Sequence, residues 1–211
     1  MITPTQSRAY AELADGDDKD NEKDENARKN GPGPQIGQIL FKQRTMLLVG
    51  EIDMKLAREF TAQLLALAAE SDDPIKLVIN SPGGHVESGD TIHDMIRFVT
   101  PTVKVLGTGW VASAGAHIYL AADKKNRYCL PNTRFMLHQP LGGVGGRAVD
   151  IDIEAREIIK MRRRINETIA KETGQPIEKV EKDTDRNYWM SSSEAKDYGV
   201  VGHIIESQAK F

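Results

Sequence analysis

The sequence contains one cysteine, few aromatic side chains and no excess of basic charge. The single cysteine, Cys129, excludes an intramolecular disulfide and any zinc site built from several thiolates. With 28 basic against 31 acidic side chains, the chain lacks the basic excess that is typical of proteins that bind nucleic acid. The first residues show no basic region followed by an apolar run, so we expect no secretory signal and a cytoplasmic protein.

The longest stretch without a charged residue is too short and too rich in glycine to cross a membrane. It covers the 18 residues 105–122, whereas a spanning helix needs about 20 mostly apolar residues. Three glycines, Gly107, Gly109 and Gly115, would weaken a continuous helix there. The pattern predicts a buried strand, a sharp turn and a buried helix, and we expect no membrane contact.

Residues 1–35 differ in composition from everything that follows. They contain eight acidic and five basic side chains, and this difference equals the net charge of −3 of the whole chain. Residues 16–30 offer almost no apolar surface to bury, and the sequence GPGP follows at 31–34. We therefore expect an acidic, disordered N-terminal extension over 1–35 and a folded domain over 36–211.

From residue 36 on, short apolar runs alternate with amphipathic segments. This alternation predicts an α/β domain with a mostly parallel sheet. We predict strands at 39–41, 46–49, 76–80, 103–107, 128–130 and 134–137, and a turn at 81–84. Helices are predicted at 55–70, 87–99, from about 112, at 149–172, and after a capping box at 191–194.

Two glycine-rich segments, each between a predicted strand and a predicted helix, are the candidates for a reactive site. They span 80–84 and 107–116, and neither matches a phosphate-binding loop or a complete dinucleotide fingerprint. In the second segment Ser113 is flanked by Ala112 and Ala114, which would let a carbonyl group approach its hydroxyl. From the local sequence alone, Ser113 is either a nucleophile or an ordinary helix N-cap.

A serine nucleophile needs a base, and His138 is the best placed of the five histidines. It ends a predicted buried strand and precedes an irregular glycine-rich stretch, a position typical of active-site residues. We expect His93 and His203 to be solvated or structural, and no histidine pair has the spacing of a zinc motif. Spacing alone does not show that Ser113 and His138 meet.

Seven motifs follow one another along the chain: NSPGG at 80–84, ASAGA at 112–116, LPN at 130–132, LHQPLGG at 137–143, DIDIEA at 150–155, TGQ at 173–175 and DTDR at 183–186. Taken together and in this order, they closely resemble the proteolytic subunit of the ATP-dependent Clp protease, a serine peptidase with a crotonase-like fold. The resemblance runs from about residue 37 to residue 205.

The resemblance implies an α/β fold of repeated ββα units with a long handle helix, and a role for each matched residue. Ser113 would be the nucleophile and His138 the base of a serine endopeptidase. The oxyanion hole would be formed by the backbone N–H groups of Gly84 and Ala114. The peptide would be held by two strands comprising Gly84, His85 and Val86 on one side and Leu141, Gly142 and Gly143 on the other.

The sequence departs from the family at the third triad position. Where the family has aspartate, this chain has Asn187, which can orient the histidine ring but cannot stabilise an imidazolium by charge. Asp185 is a rival for the orienting role, although the family uses that position, with Arg186, in contacts between rings. Ala114 also replaces the usual methionine, and the acidic extension replaces or precedes a short axial loop.

The resemblance further implies how such a chain would work with others. We expect two stacked seven-membered rings, an AAA+ unfoldase that consumes the ATP, and unfolded proteins as substrates, with no cofactor and no metal in the subunit. Two alternatives stay open: a weakly active or inactive structural subunit of a ring mixed with a paralogue, and an acyl-CoA enzyme on the same fold.

Overall fold

The computed structural model describes residues 34–140 and 145–211. Helix α1, Pro34–Lys42, belongs to a first unit that ends at Gln43. The strand predicted at 39–41 is therefore wrong, because Ile36, Ile39 and Leu40 follow helical spacing. Residues 1–33 of the extension that we expect to be disordered lie outside the described residues. Helix α1 begins at Pro34 and therefore includes the last two positions of that predicted extension.

The described residues of the second unit, Arg44–Phe211, form a sheet of seven strands. The strands are β1 (Thr45–Ile52), β2 (Ile75–Gly84), β3 (Val103–Ala112), β4 (Arg127–Cys129), β5 (Arg134–Leu137), β6 (Tyr188–Ser191) and β7 (His203–Ile204). Five of them lie side by side in the order β1-β2-β3-β4-β7, and every neighbouring pair is parallel. Of the other two, β5 pairs in parallel with the C-terminal end of β3, and β6 pairs antiparallel with β5.

Within the part of this unit that the structure describes, six α-helices follow or connect the strands, as is typical of an α/β domain. They are α2 (Met54–Glu70), α3 (Val86–Phe98), α4 (Ala114–Tyr119), α5 (Ala148–Thr173), α6 (Ile177–Asp183) and α7 (Ser192–Tyr198). The predicted capping box is confirmed, because the Ser191 hydroxyl and the Glu194 carboxylate each bind the other residue's backbone N–H. The predicted α/β class and parallel sheet are confirmed.

The core lies where the apolar face of α2 packs against the apolar faces of the central strands. Strand β2 buries every second residue, beginning with Ile75, Leu77 and Ile79. Helix α2 buries Ala57, Phe60, Leu64 and Leu67, which share one face at helical spacing. Each such side chain contributes about 1.5–3 kcal/mol through removal from water. This packing fixes the strand ends on which the site described below depends.

Both glycine-rich segments that sequence patterns predict as turns continue the strands before them. Strand β2 extends through 81–84 because Gly83 and Gly84 pair with the end of β1. Strand β3 extends to Ala112 because its last residues pair with β5. Pairing with a neighbouring strand outweighs the local content of glycine and proline here. Each change of direction is confined to the residues that directly follow the strand.

Helix α5 matches the predicted long helix and is packed at one end only. Its 26 residues span about 39 Å. Near the C-terminal end Asn166, Ile169 and Thr173 are buried, and Glu172 pairs with the buried guanidinium of Arg127. The N-terminal half instead exposes apolar side chains: Val149, Ile151, Ile153 and Ile159. Within the described ranges, no helix combines the length and apolar character needed to cross a bilayer.

Candidate active site

Ser113 lies in the single-residue junction between β3 and α4. Its backbone has φ 55° and ψ −124°, a conformation that residues other than glycine rarely adopt. The backbone N–H of Ser113 donates to the carbonyl of Met136 at 2.9 Å, which fixes the junction to β5. Gly83 packs so closely that an added Cβ would lie 2.5 Å from the Ser113 Cβ. The Ser113 side chain forms no N-cap hydrogen bond, so the ordinary capping role is not observed.

His138 is brought to Ser113 by the pairing of two strands. It directly follows β5, and β5 runs parallel to the end of β3, from which Ser113 emerges. The distance from His138 Nε2 to Ser113 Oγ is 2.7 Å. The two residues that the sequence offered separately therefore share one hydrogen bond.

Asn187 completes a chain of three side chains. It precedes β6, whose antiparallel register places Tyr188 opposite Leu137, next to His138. Its Oδ1 lies 3.1 Å from His138 Nδ1. The carboxylate of Asp185 instead accepts from Gln139 and pairs with Arg162 and Arg186. The geometry favours Asn187 over Asp185 as the residue that orients the ring.

These contacts indicate which nitrogen of the neutral His138 ring carries the proton. An amide oxygen can only accept, so the Nδ1–H of His138 donates to Asn187 and Nε2 accepts from the Ser113 hydroxyl. Burial lowers the pKa of His138, and the hydrogen bond to Asn187 opposes that shift. The ring is thus held neutral near physiological pH, which is the form that accepts a proton.

A second layer of polar contacts, which sequence patterns did not single out, holds the loop that carries Asn187. The backbone N–H of Gln139 donates to the carbonyl of Thr184 at 2.7 Å. The side-chain amide of Gln139 donates to the carbonyl of Asp185 at 2.8 Å. The hydroxyl of Thr184 donates to Asn166 on α5 at 2.9 Å. Gln139 lies in the LHQPLGG motif and Thr184 in the DTDR motif, so the sequence carried a signal, but the contacts depend on long-range packing.

Gly84 and Ala114, the predicted oxyanion donors, lie on two different elements near Ser113: Gly84 and Ser113 border one open groove, and Ala114 follows Ser113 in the chain. Gly84 ends β2 with φ +147° and lies against Ile52 so closely that a side chain could not be accommodated. Ala114 is the first residue of α4, and first-turn N–H groups have no acceptor within their own helix. Backbone N–H groups in such places can stabilise an oxyanion.

Of the residues 84–86, predicted to form a peptide-binding strand, only Gly84 lies in a strand. His85 caps α3, with its Nδ1 2.9 Å from the Ser88 hydroxyl, and Val86 is the first residue of that helix. The extended backbone ends there because the cap starts a new helix. The second predicted strand, comprising Leu141, Gly142 and Gly143, lies outside the described residues.

Two spaces meet at Ser113. One is a small cavity of about 30 Å³ and the other is an open groove of about 250 Å³, and Ser113 and His138 border both. The described residues that border them are mainly apolar and include Val86, Leu137 and Pro140, with no carboxylate. No group of three or more potential ligands among the described residues is arranged to hold a metal ion.

Comparison with known proteins identifies the family of this chain. The Clp protease family model matches residues 30–208. The ATP-dependent Clp protease proteolytic subunit 2 of Gluconobacter oxydans is 60% identical over 98% of this chain and 92% of its own length. Subunit 3 of Rhizobium etli is 56% identical over 90% of this chain and 98% of its own length. The structure of ClpP1 from Listeria monocytogenes superimposes with a TM-score of 0.76 at 58% identity, covering 83% of this chain and 98% of that one. The chain therefore belongs to the Clp protease family, as a relative of its proteolytic subunits.

Proposed function

We propose that this chain is a serine endopeptidase subunit that works through Ser113, His138 and Asn187. The observation that carries the proposal is the continuous hydrogen-bonded path from Ser113 Oγ through both ring nitrogens of His138 to Asn187 Oδ1. Nucleophile, base and orienting group stand in the order that acyl transfer requires.

The proposed reaction is a two-step acyl transfer. His138 Nε2 takes the proton of Ser113 as Oγ attacks the peptide carbonyl carbon, whose oxygen gains the electron pair. The N–H groups of Gly84 and Ala114 would stabilise that oxyanion. The C–N bond then breaks, and His138 donates its proton to the leaving amine. Water, activated by the same imidazole, attacks the acyl-enzyme and releases the acid with regeneration of Ser113.

Asn187 sets the expected level of activity. Its amide oxygen holds the tautomer in which Nε2 can accept a proton, so the first function of a third triad residue is retained. It supplies no negative charge to the imidazolium that forms in the transition state. In a trypsin-type triad, loss of that charge together with the correct tautomer costs about 10⁴ in kcat. We therefore expect real but slow turnover.

The assembly would be a self-compartmentalised protease of two stacked seven-membered rings, fed by an AAA+ unfoldase and located in the cytoplasm. The exposed apolar side chains on the N-terminal half of α5 support self-association, because a solvated helix rarely exposes so many. Two of the relatives are named subunit 2 and subunit 3, so assembly should also be tested with a paralogue. Arg186 is exposed next to Asp185, as a contact between rings would require.

A structural subunit is the second candidate, favoured by the amide in place of a carboxylate. A fluorophosphonate probe separates the two, because only an activated serine reacts with it. We expect labelling that is lost in Ser113→Ala and in His138→Ala, with unchanged melting temperatures. No labelling in the isolated chain or in rings mixed with a paralogue would support the structural role. The absence of a carboxylate among the described cavity residues disfavours an acyl-CoA enzyme.

Assembly is tested separately by sedimentation. We expect a species far heavier than the 23.4 kDa monomer, alone or with a paralogue, and a smaller one for Arg186→Ala. A monomer under both conditions would contradict the ring.

A further inference from the structure

Two exposed tryptophans lie side by side on the part of the sheet formed by β3, β5 and β6. Trp110 is on β3 and is 45% exposed, and Trp189 is on β6 and is 37% exposed. Their rings stack with centroids 6.3 Å apart and planes inclined by 13°. Tryptophan is a highly buried residue on average, so two exposed indoles in contact form an unusual surface. They are the only tryptophans of the sequence, and the proposed reaction uses neither.

An arginine without a carboxylate partner joins the two rings. Arg134 lies on β5, between β3 and β6, and its backbone pairs with that of Trp110. Its guanidinium lies over the Trp189 ring, with Cζ 4.7 Å from the ring centroid. The Glu194 carboxylate interacts with this charge only at longer range and accepts its hydrogen bonds from Ser191. Within the described part of the chain, the guanidinium forms a cation–π contact but no ion pair.

These three residues, Trp110, Arg134 and Trp189, form a surface that continues the open groove of the candidate active site. We call it the Trp–Arg surface. Met136 borders the groove, lies two residues after Arg134 on β5 and pairs with Trp189. Side chains two apart on a strand, or directly opposite on paired strands, share one face of the sheet. An extended chain rises about 3.3 Å per residue, so Arg134 lies about 13 Å along the chain from His138.

The proposed reaction determines which part of a substrate would extend toward the Trp–Arg surface. His138 must donate its proton to the leaving amine, so the segment that follows the cleaved bond begins next to His138. From there the groove leads to Met136, and Met136 adjoins the Trp–Arg surface. The distance of about 13 Å corresponds to about four residues of extended substrate.

We propose that the Trp–Arg surface binds the substrate segment that follows the cleaved bond, and that it favours an acidic side chain about four residues after that bond, next to apolar ones. This rests on the proposed function, because only attack by Ser113 places the leaving amine at His138. The free guanidinium can donate two parallel hydrogen bonds to a carboxylate. Apolar side chains on either side of it would cover the exposed indoles.

Tryptophan fluorescence of the full-length Ser113→Ala protein tests the proposal without turnover, because both tryptophans belong to the surface. The probes are peptides without tryptophan that correspond to the released segment, with a free N-terminal amine. Their fourth residue is Glu or Gln, and its neighbours are Phe or Ala. We expect the peptide with Glu and Phe to change the emission and to bind about fivefold tighter than the peptide with Gln, the upper range for an exposed ion pair. Replacing Phe by Ala should weaken binding by a similar factor.

Variants in the same background assign the effect to individual residues. Arg134→Gln should remove the difference between Glu and Gln peptides. Arg58→Gln, which removes an exposed arginine charge on α2, is the matched control and should preserve that difference. In Trp110→Ala and Trp189→Ala the remaining indole still reports binding, and we expect affinity to fall about tenfold. Unchanged melting temperatures show that each variant is folded.

Hydrolysis by the chain with Ser113 intact reports the proposed function separately. A peptide coupled to a dye through the cleaved amide has no residues after the bond, so Arg134→Gln should hydrolyse it at the wild-type rate. An internally quenched peptide that contains the acidic segment should lose about fivefold in kcat/KM, mainly through KM. If the wild-type chain cleaves neither substrate, the proposed peptidase is wrong, while the fluorescence titration still decides whether the surface binds acidic peptides.

Equal affinities of Glu and Gln peptides would overturn the proposal, and so would a difference that persists in Arg134→Gln. The absence of any emission change with all peptides at millimolar concentration would also overturn it. A titration of the protein alone identifies the competing occupant. If the emission shifts at the concentrations where sedimentation shows a heavier species, and peptides then have no effect, a second copy of the chain covers the surface and the proposal is wrong.

Discussion

Replacing Asn187 by aspartate tests the proposed triad most directly. The variant Asn187→Asp keeps the size of the side chain and the acceptor 3.1 Å from His138 Nδ1, and adds one negative charge. The ground state changes little, since the same hydrogen bond holds the same tautomer. The transition state contains an imidazolium, so the added charge should lower its free energy and raise kcat.

The magnitude follows from the separation of the two groups. For unit charges 3.1 Å apart, Coulomb's law gives about 1.3 kcal/mol in bulk water and about 5 kcal/mol at an effective dielectric constant of 20. Asn187 is exposed to solvent, so the lower half of that range applies. A gain of about 1.5–3 kcal/mol corresponds to an increase of roughly 10- to 100-fold in kcat.

The pH profile gives a second, independent readout. In the wild-type chain burial lowers the pKa of His138, so the neutral base persists to lower pH than it would in a free imidazole. A carboxylate at residue 187 favours the protonated ring and raises that pKa. The acid limb of kcat/KM in hydrolysis of a fluorogenic peptide should therefore move to higher pH in Asn187→Asp.

Asn187→Ala is the matched control, since it removes the acceptor without adding charge. We expect lower turnover and an acid limb at still lower pH. The reasoning is refuted if Asn187→Asp changes neither kcat nor the acid limb, or if Asp185→Asn abolishes activity while both Asn187 variants behave as wild type. The second result would assign the orienting role to Asp185.

Three other substitutions test separate parts of the structure. Arg127→Met removes the buried partner of Glu172 and should lower the free energy of unfolding by about 3–5 kcal/mol, measured by denaturant titration. Gly83→Ala introduces a Cβ where φ is +104° and Ser113 is in contact, so fluorophosphonate labelling should slow at least tenfold; an unchanged rate would contradict the described packing. Ile159→Asp places a charge on the exposed face of α5 and should reduce the mass found by sedimentation with little change in melting temperature.

The sequence identified the residues of the candidate site better than it identified the local structure around them. Ser113 and His138 could be selected from small neighbours and from the end of a buried strand. Their meeting depends on direct parallel pairing of the end of β3 with β5, although β4 lies between them in sequence, and no spacing rule reveals that pairing. The resemblance to a known family supplied that information, and the 2.7 Å contact agrees with it.

Local patterns failed where tertiary pairing or helical spacing decides the conformation. The segment 39–41 is β-prone in isolation, yet it continues a helix that Pro34 begins. The segment 81–84 has the composition of a turn, yet β1 pairs with its last two residues. Similarly, nothing in the spacing of His117, Asp90 and Arg164 indicates that these side chains are in contact, because three helices must pack before they meet.

Helix α5 connects several contacts around the candidate site that lie far apart in the sequence. Within six positions it provides the Arg164 bond to Asp90, the Ile165 and Ile169 walls of the cavity, and the Asn166 contact that holds Thr184. Ile159, on the exposed apolar part, lies only five residues before Arg164, about 7.5 Å along the axis. A helix is stiff over this distance, so a contact at Ile159 in the proposed assembly would also fix the position of the helix at the cavity. A shift of α5 would move Arg164, which binds Asp90 beside His117, together with the contact that holds the loop before Asn187, whereas Ser113 is held by β3 and β5.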